Sequence, residues 1–210
     1  SFYMGIGRTR SDQYICITLE STVSTEQRCT SATKPGKFDV LAPRQRDFEY
    51  DADHLDGRWV IRTNWDAPNF RLMTVADGKW GDRNQWKELI GHDKNIFIDS
   101  FDVFKTFIAI EERSEGLQKL RYFNLDGKNP TFVKTDEPAY TMAFSVNAEA
   151  DTEWLRYTYN SMTTPTSTIE VNVKTGEKKI LKQDPVLGDF NADNYVTERV
   201  WAPAKDGTKI

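Results

Sequence analysis

Four times along the chain, an alternating strand pattern runs into a glycine turn and out again into a shorter apolar strand. The last copy is the clearest. Residues 154–159 are aromatic and β-branched. Residues 168–173 alternate with Ile169, Val171 and Val173 on one face, and 179–181 form a brief third run. The breaks hold turn residues: Thr163, Thr164 and Pro165 in the first, Lys174-Thr175-Gly176-Glu177 in the second, where glycine is free to take a positive φ. The marker glycines are Gly36, Gly78, Gly127 and Gly176, at intervals of 42, 49 and 49 residues. Apolar runs precede them at 14–19, 59–63, 104–110 and 154–159, and further strand candidates precede those at 2–7, 47–52, 95–101 and 139–146. The pattern is four units of four short strands, with Asp56-Gly57 and Glu149-Ala150-Asp151 among the turns between strands. No window sustains a 3.6-residue period, so little helix is expected.

Four-stranded units of about 40–50 residues are the sequence mark of β-propeller blades. A β-sandwich also has many short strands but has no reason for a four-strand period. The fold expected is therefore all-β, with about four propeller blades over residues 1–183. Four blades can close a small ring, and half of a larger ring fits the pattern equally well. Residues 184–194 read as a linker, and a new strand begins within 195–210. A chain that ends on a strand just begun is expected to be a piece of a longer protein.

With 210 residues, 38% hydrophobic and 29% charged, the chain has enough apolar material for a real core. Its net charge of −4, with both signs interspersed, argues against nucleic acid or an anionic membrane as partner. No apolar run approaches the roughly 20 residues of a membrane span, and the N-terminus has no basic-then-apolar export signal. The compartment expected is the cytoplasm, with the periplasm as the alternative. If 13–20 and 25–32 form a hairpin turning near Thr22-Val23, Cys16 and Cys29 fall opposite each other and a disulfide is geometrically allowed. Without an export signal, the reading preferred is two reduced thiols.

Motifs for chemistry are missing. No serine lies in a Gly-x-Ser-x-Gly frame, and there is no Walker sequence, HExxH or EF-hand loop. Gly5-Ile6-Gly7 lacks the third glycine and the helix of a dinucleotide fingerprint. Two cysteines with distant histidines do not make a structural zinc site. No cofactor is implied. A Ser-His-Asp triad needs a histidine, and His54 and His92 both read as solvated turn residues. The candidate site is acidic. Asp47, Glu49, Asp51 and Asp53 alternate along one strand pattern, with Phe48, Tyr50 and Ala52 on the other face. Such a charge run is ordinarily a solvated edge. Its functional reading is an acidic wall of a propeller channel that attracts cationic peptides. The tryptophans Trp59, Trp65, Trp80, Trp86, Trp154 and Trp201 fall mostly in strand patterns, as blade packing requires.

The segment YNSMTTPTSTIEVNVKTGEKKILKQ resembles the last propeller blade of the prolyl oligopeptidase family, where Ser-x-Thr-Thr-Pro precedes a strand and a Thr-Gly-Glu turn. NYVTERVWAPAKDGTKI resembles the entry into that family's α/β-hydrolase domain. Glu198-Arg199, Trp201-Ala202 and Asp206-Gly207, with FYMGIGRTRSDQYI and FEYDADH upstream, are similar to the family's oligopeptidase B branch. The resemblance implies a seven-bladed propeller capping a serine peptidase domain. This chain would supply about the last four blades, and the propeller would exclude folded proteins. It further implies hydrolysis of short peptides, after Arg or Lys in that branch, with every catalytic residue lying beyond Ile210. The partners implied are the peptide substrate and the chain's own hydrolase domain. Four blades cut from a ring would also expose apolar faces and self-associate. The second reading is a stand-alone β-repeat module that binds a partner without catalysis.

Overall fold

In a computed structural model, which describes residues 2–210, sixteen strands form four antiparallel four-stranded sheets, each meandering in sequence order. The first blade holds β1 (Tyr3–Arg8), β2 (Tyr14–Ser21), β3 (Ser24–Ser31) and β4 (Asp39–Val40). The second holds β5 (Tyr50–Leu55), β6 (Arg58–Thr63), β7 (Arg71–Ala76) and β8 (Lys87–Ile90). β9 (Phe97–Val103), β10 (Phe107–Ser114), β11 (Leu117–Asn124) and β12 (Thr131–Phe132) make the third. β13 (Thr141–Phe144), β14 (Trp154–Asn160), β15 (Ser167–Asn172) and β16 (Lys178–Gln183) make the fourth. Helix among the described residues is confined to two short 3-10 turns, Arg83–Gln85 and Ala192–Asn194.

The turns follow their residues. Asp56-Gly57 and Glu115-Gly116 join β5 to β6 and β10 to β11 with both central residues at positive φ, the two-residue geometry that suits strand twist. Gly78, Gly127 and Gly176 take φ of 72°, 77° and 75°. Gly36 does not share that conformation; it lies in the loop between β3 and β4, its N–H donating to Thr30 Oγ1 at 3.0 Å.

Three apolar clusters fill the three spaces between four blades. Cys16, Cys29, Leu41, Tyr50, Trp59 and Trp86 meet between the first and second blades. Leu55, Val60, Leu72, Ile98 and Ile108 meet between the second and third, and Phe107, Leu120, Met142, Leu155 and Tyr157 between the third and fourth. Trp59 and Trp86 lie in the first of these clusters with Trp65 and Trp80 packed against it, whereas Trp201 is half exposed.

Two expectations are corrected. Cys16 and Cys29 stand directly opposite in the β2–β3 ladder with Cα atoms 4.1 Å apart, and they form a disulfide rather than two free thiols. The hairpin register places them there, and both are buried. Residues 195–210 form no strand. Ala202 and Ile210 exchange backbone hydrogen bonds (2.9 and 2.8 Å) around an Asp206-Gly207 turn, and no sheet edge pairs with 195–200.

Candidate functional site

Segments of all four blades meet at one arginine. Arg10, in the turn after β1, reaches all three following blades. Its backbone N–H donates to Asp53 of β5 (2.7 Å), and its guanidinium lies over the Phe104 ring just past β9 (4.9 Å). The same guanidinium donates to the Glu149 carbonyl, between β13 and β14, at 3.3 Å.

Within this arrangement the acidic run divides. Tyr50, Ala52 and His54 face the first blade, where Tyr50 Oη donates to the Ala42 carbonyl at 2.8 Å. Leu55 packs against the third blade, and alternation puts Asp51 and Asp53 on its side of the strand. Asp51 pairs with Arg62 at 2.9 Å, and Arg62 in turn donates to the Ile98 carbonyl of β9 at 2.7 Å. Asp53 accepts the N–H groups of Arg10 and His54, each at 2.7 Å. Asp47 does not join them. It sits in an exposed turn at φ 61°, and the ladder starts only at Tyr50. Glu49 lies just before the strand, its N–H donating to Asn64 Oδ1 at 2.8 Å.

Two further carboxylates, invisible to local patterning, complete the acidic group. Asp102 of β9 accepts from Asn147 Nδ2 at 3.1 Å, and Glu111 of β10 accepts the Phe144 N–H at 3.1 Å. Burial raises the pKa of Asp51, Asp53, Asp102 and Glu111 alike, and Asp102 reaches about 6. For Asp102, burial outweighs Arg10 and the Asn147 hydrogen bond, and the charges of Asp53 and Glu111 add to it.

His54 corrects an expectation. It is wholly buried on β5, with Nδ1 2.7 Å from Ser11 Oγ and Nε2 3.0 Å from Asp77 Oδ1. Asp77 Oδ1 also accepts from Tyr14 Oη and Trp59 Nε1, both at 3.2 Å. These are the residue types of a hydrolytic triad, but the ring is enclosed by Tyr14 and Trp59 at about 5 Å. No substrate can reach either nitrogen, so the network ties the first blade to the second. His92 stays exposed in its turn.

The profile of the prolyl oligopeptidase N-terminal β-propeller domain matches residues 1–184. The chain belongs to this family. It is 55% identical over its whole length to a dipeptidyl aminopeptidase BI of Pseudoxanthomonas mexicana and 26% identical to a protease 2 of Moraxella lacunata. Oligopeptidase B of Trypanosoma brucei superposes over 99% of the chain with a TM-score of 0.88 at 28% identity. The chain spans 29%, 30% and 31% of the length of these three proteins.

The Ser-x-Thr-Thr-Pro stretch at residues 161–165 has a visible purpose here. Ser161, Thr163 and Thr164 all turn their hydroxyls onto one carboxylate, Glu137 (2.6 and 2.8 Å for the two threonines). Sequence reading picked out the stretch but not its acceptor, which lies more than 20 residues upstream in an irregular loop.

Proposed function

We propose that the chain is the non-catalytic, substrate-gating propeller of a serine oligopeptidase that hydrolyses short peptides next to basic residues. Its partners in that enzyme are the peptide substrate and a hydrolase domain that carries the catalytic residues; the 210 residues alone are inactive. The observation that carries the reading is the group of carboxylates on the first strands of the second and third blades, whose pKa burial raises. Asp53 lies between the other two: Asp51, paired with Arg62, feels its charge on one side, and Asp102, beside Arg10, feels it on the other. Such a group favours cationic peptides over anionic ones, most strongly at low salt. The likeness to proteins named oligopeptidase B and protease 2 supports cleavage after Arg or Lys.

The 55% identity to a protein named dipeptidyl aminopeptidase favours a second reading, removal of dipeptides from a free N-terminus. Arginyl substrates with free and with blocked N-termini, offered to the complete enzyme, separate the two. Cleavage of blocked substrates supports the endopeptidase; cleavage confined to free dipeptidyl substrates supports the aminopeptidase. An enzyme that cleaves neither leaves the stand-alone interaction module. The compartment proposed is the periplasm over the cytoplasm, because a buried structural disulfide such as Cys16–Cys29 persists where the surroundings are oxidising.

The outer blades' open surfaces support self-association of the isolated chain. Tyr3, Met4 and Ile6 on β1 are 75%, 76% and 74% exposed, and Ile180 and Leu181 on β16 are 63% and 49% exposed.

A further inference from the structure

After β16 the chain runs across the propeller almost wholly exposed, yet Thr197 is 7% exposed between Val196 at 78% and Val200 at 83%. Its hydroxyl reaches a cluster built on Glu137. One carboxylate oxygen accepts from Ser161 Oγ, Thr163 Oγ1 (2.6 Å) and Thr197 Oγ1 (3.3 Å). The other accepts from Tyr159 Oη (2.6 Å) and Thr164 Oγ1 (2.8 Å). Burial alone would raise the Glu137 pKa; the hydroxyl donors more than reverse this and hold it at about 2. Among the described residues no cation pairs with it within salt-bridge distance. Five hydroxyls do the work of a counter-ion.

Proton counting gives the cluster a direction. Each hydroxyl has one hydrogen. Ser161, Thr163, Thr164 and Tyr159 direct theirs to Glu137, so Thr163 Oγ1 can only accept from Thr197, 3.1 Å away. Thr197 therefore donates into the cluster, shared between Thr163 and the carboxylate. A charge-assisted chain of this kind is roughly twice as strong as a neutral hydrogen bond. The next hold is Arg199, which donates to the Glu115 carbonyl at the β10–β11 turn.

We infer that Glu137 is a positioning residue that clasps the outgoing chain through Thr197 and fixes the direction in which residues 195–210 leave the propeller. The clasp joins four parts: the loop before β13, the end of β14, the β14–β15 loop and the exit segment. Whatever follows Ile210 takes its orientation from it. This does not depend on which peptide bond, if any, the complete protein cleaves.

The test is limited trypsin digestion of the whole 210-residue chain under native conditions, following cleavage after Arg199. Thr197→Val keeps the shape and removes the hydroxyl. It is expected to speed this cut about tenfold or more, the scale of one lost charge-assisted hydrogen bond, while cleavage after Arg156 in β14 stays at the wild-type rate. Thr197→Ser restores the slow cut. An unchanged rate in Thr197→Val overturns the proposal. So does fast cutting in Thr197→Ser, because the methyl group rather than the hydroxyl would then be the anchor. Glu137→Gln should free the same segment; because Glu137 also holds Tyr159, Ser161 and Thr164 of the fourth blade, the threonine pair decides.

Discussion

Asp102 is ionised at neutral pH in a place that disfavours the charge. Its folded pKa of about 6 lies above the ordinary carboxylate value, so between about pH 4 and 6 the folded state binds more protons than the unfolded one. Its contribution to stability is therefore fully present below about pH 4 and is lost as pH rises through 6. Asp102→Asn keeps an acceptor for Asn147 and should stabilise the chain at pH 7 by about 2–3 kcal/mol, erasing that part of the pH profile. Denaturant midpoints measured from pH 4 to 7 check this; a variant no more stable than wild type at pH 7 contradicts it. Glu137 acts with the opposite sign, its contribution fading as pH falls from the ordinary carboxylate range towards 2. Gly127 is a third sensitive point. Its φ is 77°, and a Cβ there would run into the Leu89 carbonyl of the second blade. Gly127→Ala should lower stability by at least about 1–3 kcal/mol from the backbone conformation alone, whereas Gly36→Ala, with open space and an ordinary φ, should be close to neutral. Thermal melts of the two variants make the comparison.

At the scale of elements, the repeat was legible because two simple signals coincide, period-two alternation and a glycine turn. They place the first two strands of every blade within a few residues. The acidic strand shows where the signal stops. Asp47 continues the alternation in sequence, but its left-handed backbone takes it out of the ladder, so of the run only Asp51 and Asp53 lie on the paired strand. Asp102 and Arg10 were not legible at all. Arg10 meets residues 43 and 139 positions away, and nothing local to either partner announces the meeting. The β2–β3 hairpin lies between these cases: its register was readable, but its oxidation state was not. Closing a loop with a sequence separation of 13, the Cys16–Cys29 bond should contribute about 3 kcal/mol. Cys16→Ser/Cys29→Ser or reduction should lower the denaturation midpoint accordingly, and an unchanged midpoint would contradict a structural role.

Across the whole molecule, three buried interfaces hold four blades together and two blade faces are left open. The exposed residues of β1 and β16 predict concentration-dependent association of the 210-residue chain in sedimentation velocity. A monomer at high concentration would count against apolar end faces. The channel reading makes a sharper demand on the complete enzyme. Asp51→Asn/Asp53→Asn should raise KM for basic peptides several-fold, most at low salt, while Asp47→Asn should leave it unchanged because that residue sits in an exposed turn off the strand. The central claim is that these residues form the triad-free gating part of a peptidase. The most direct measurement is hydrolysis of a fluorogenic arginyl peptide by the 210-residue chain and by the complete protein side by side. The account predicts turnover by the complete protein alone. Turnover by the purified 210-residue chain, or by neither, would contradict it.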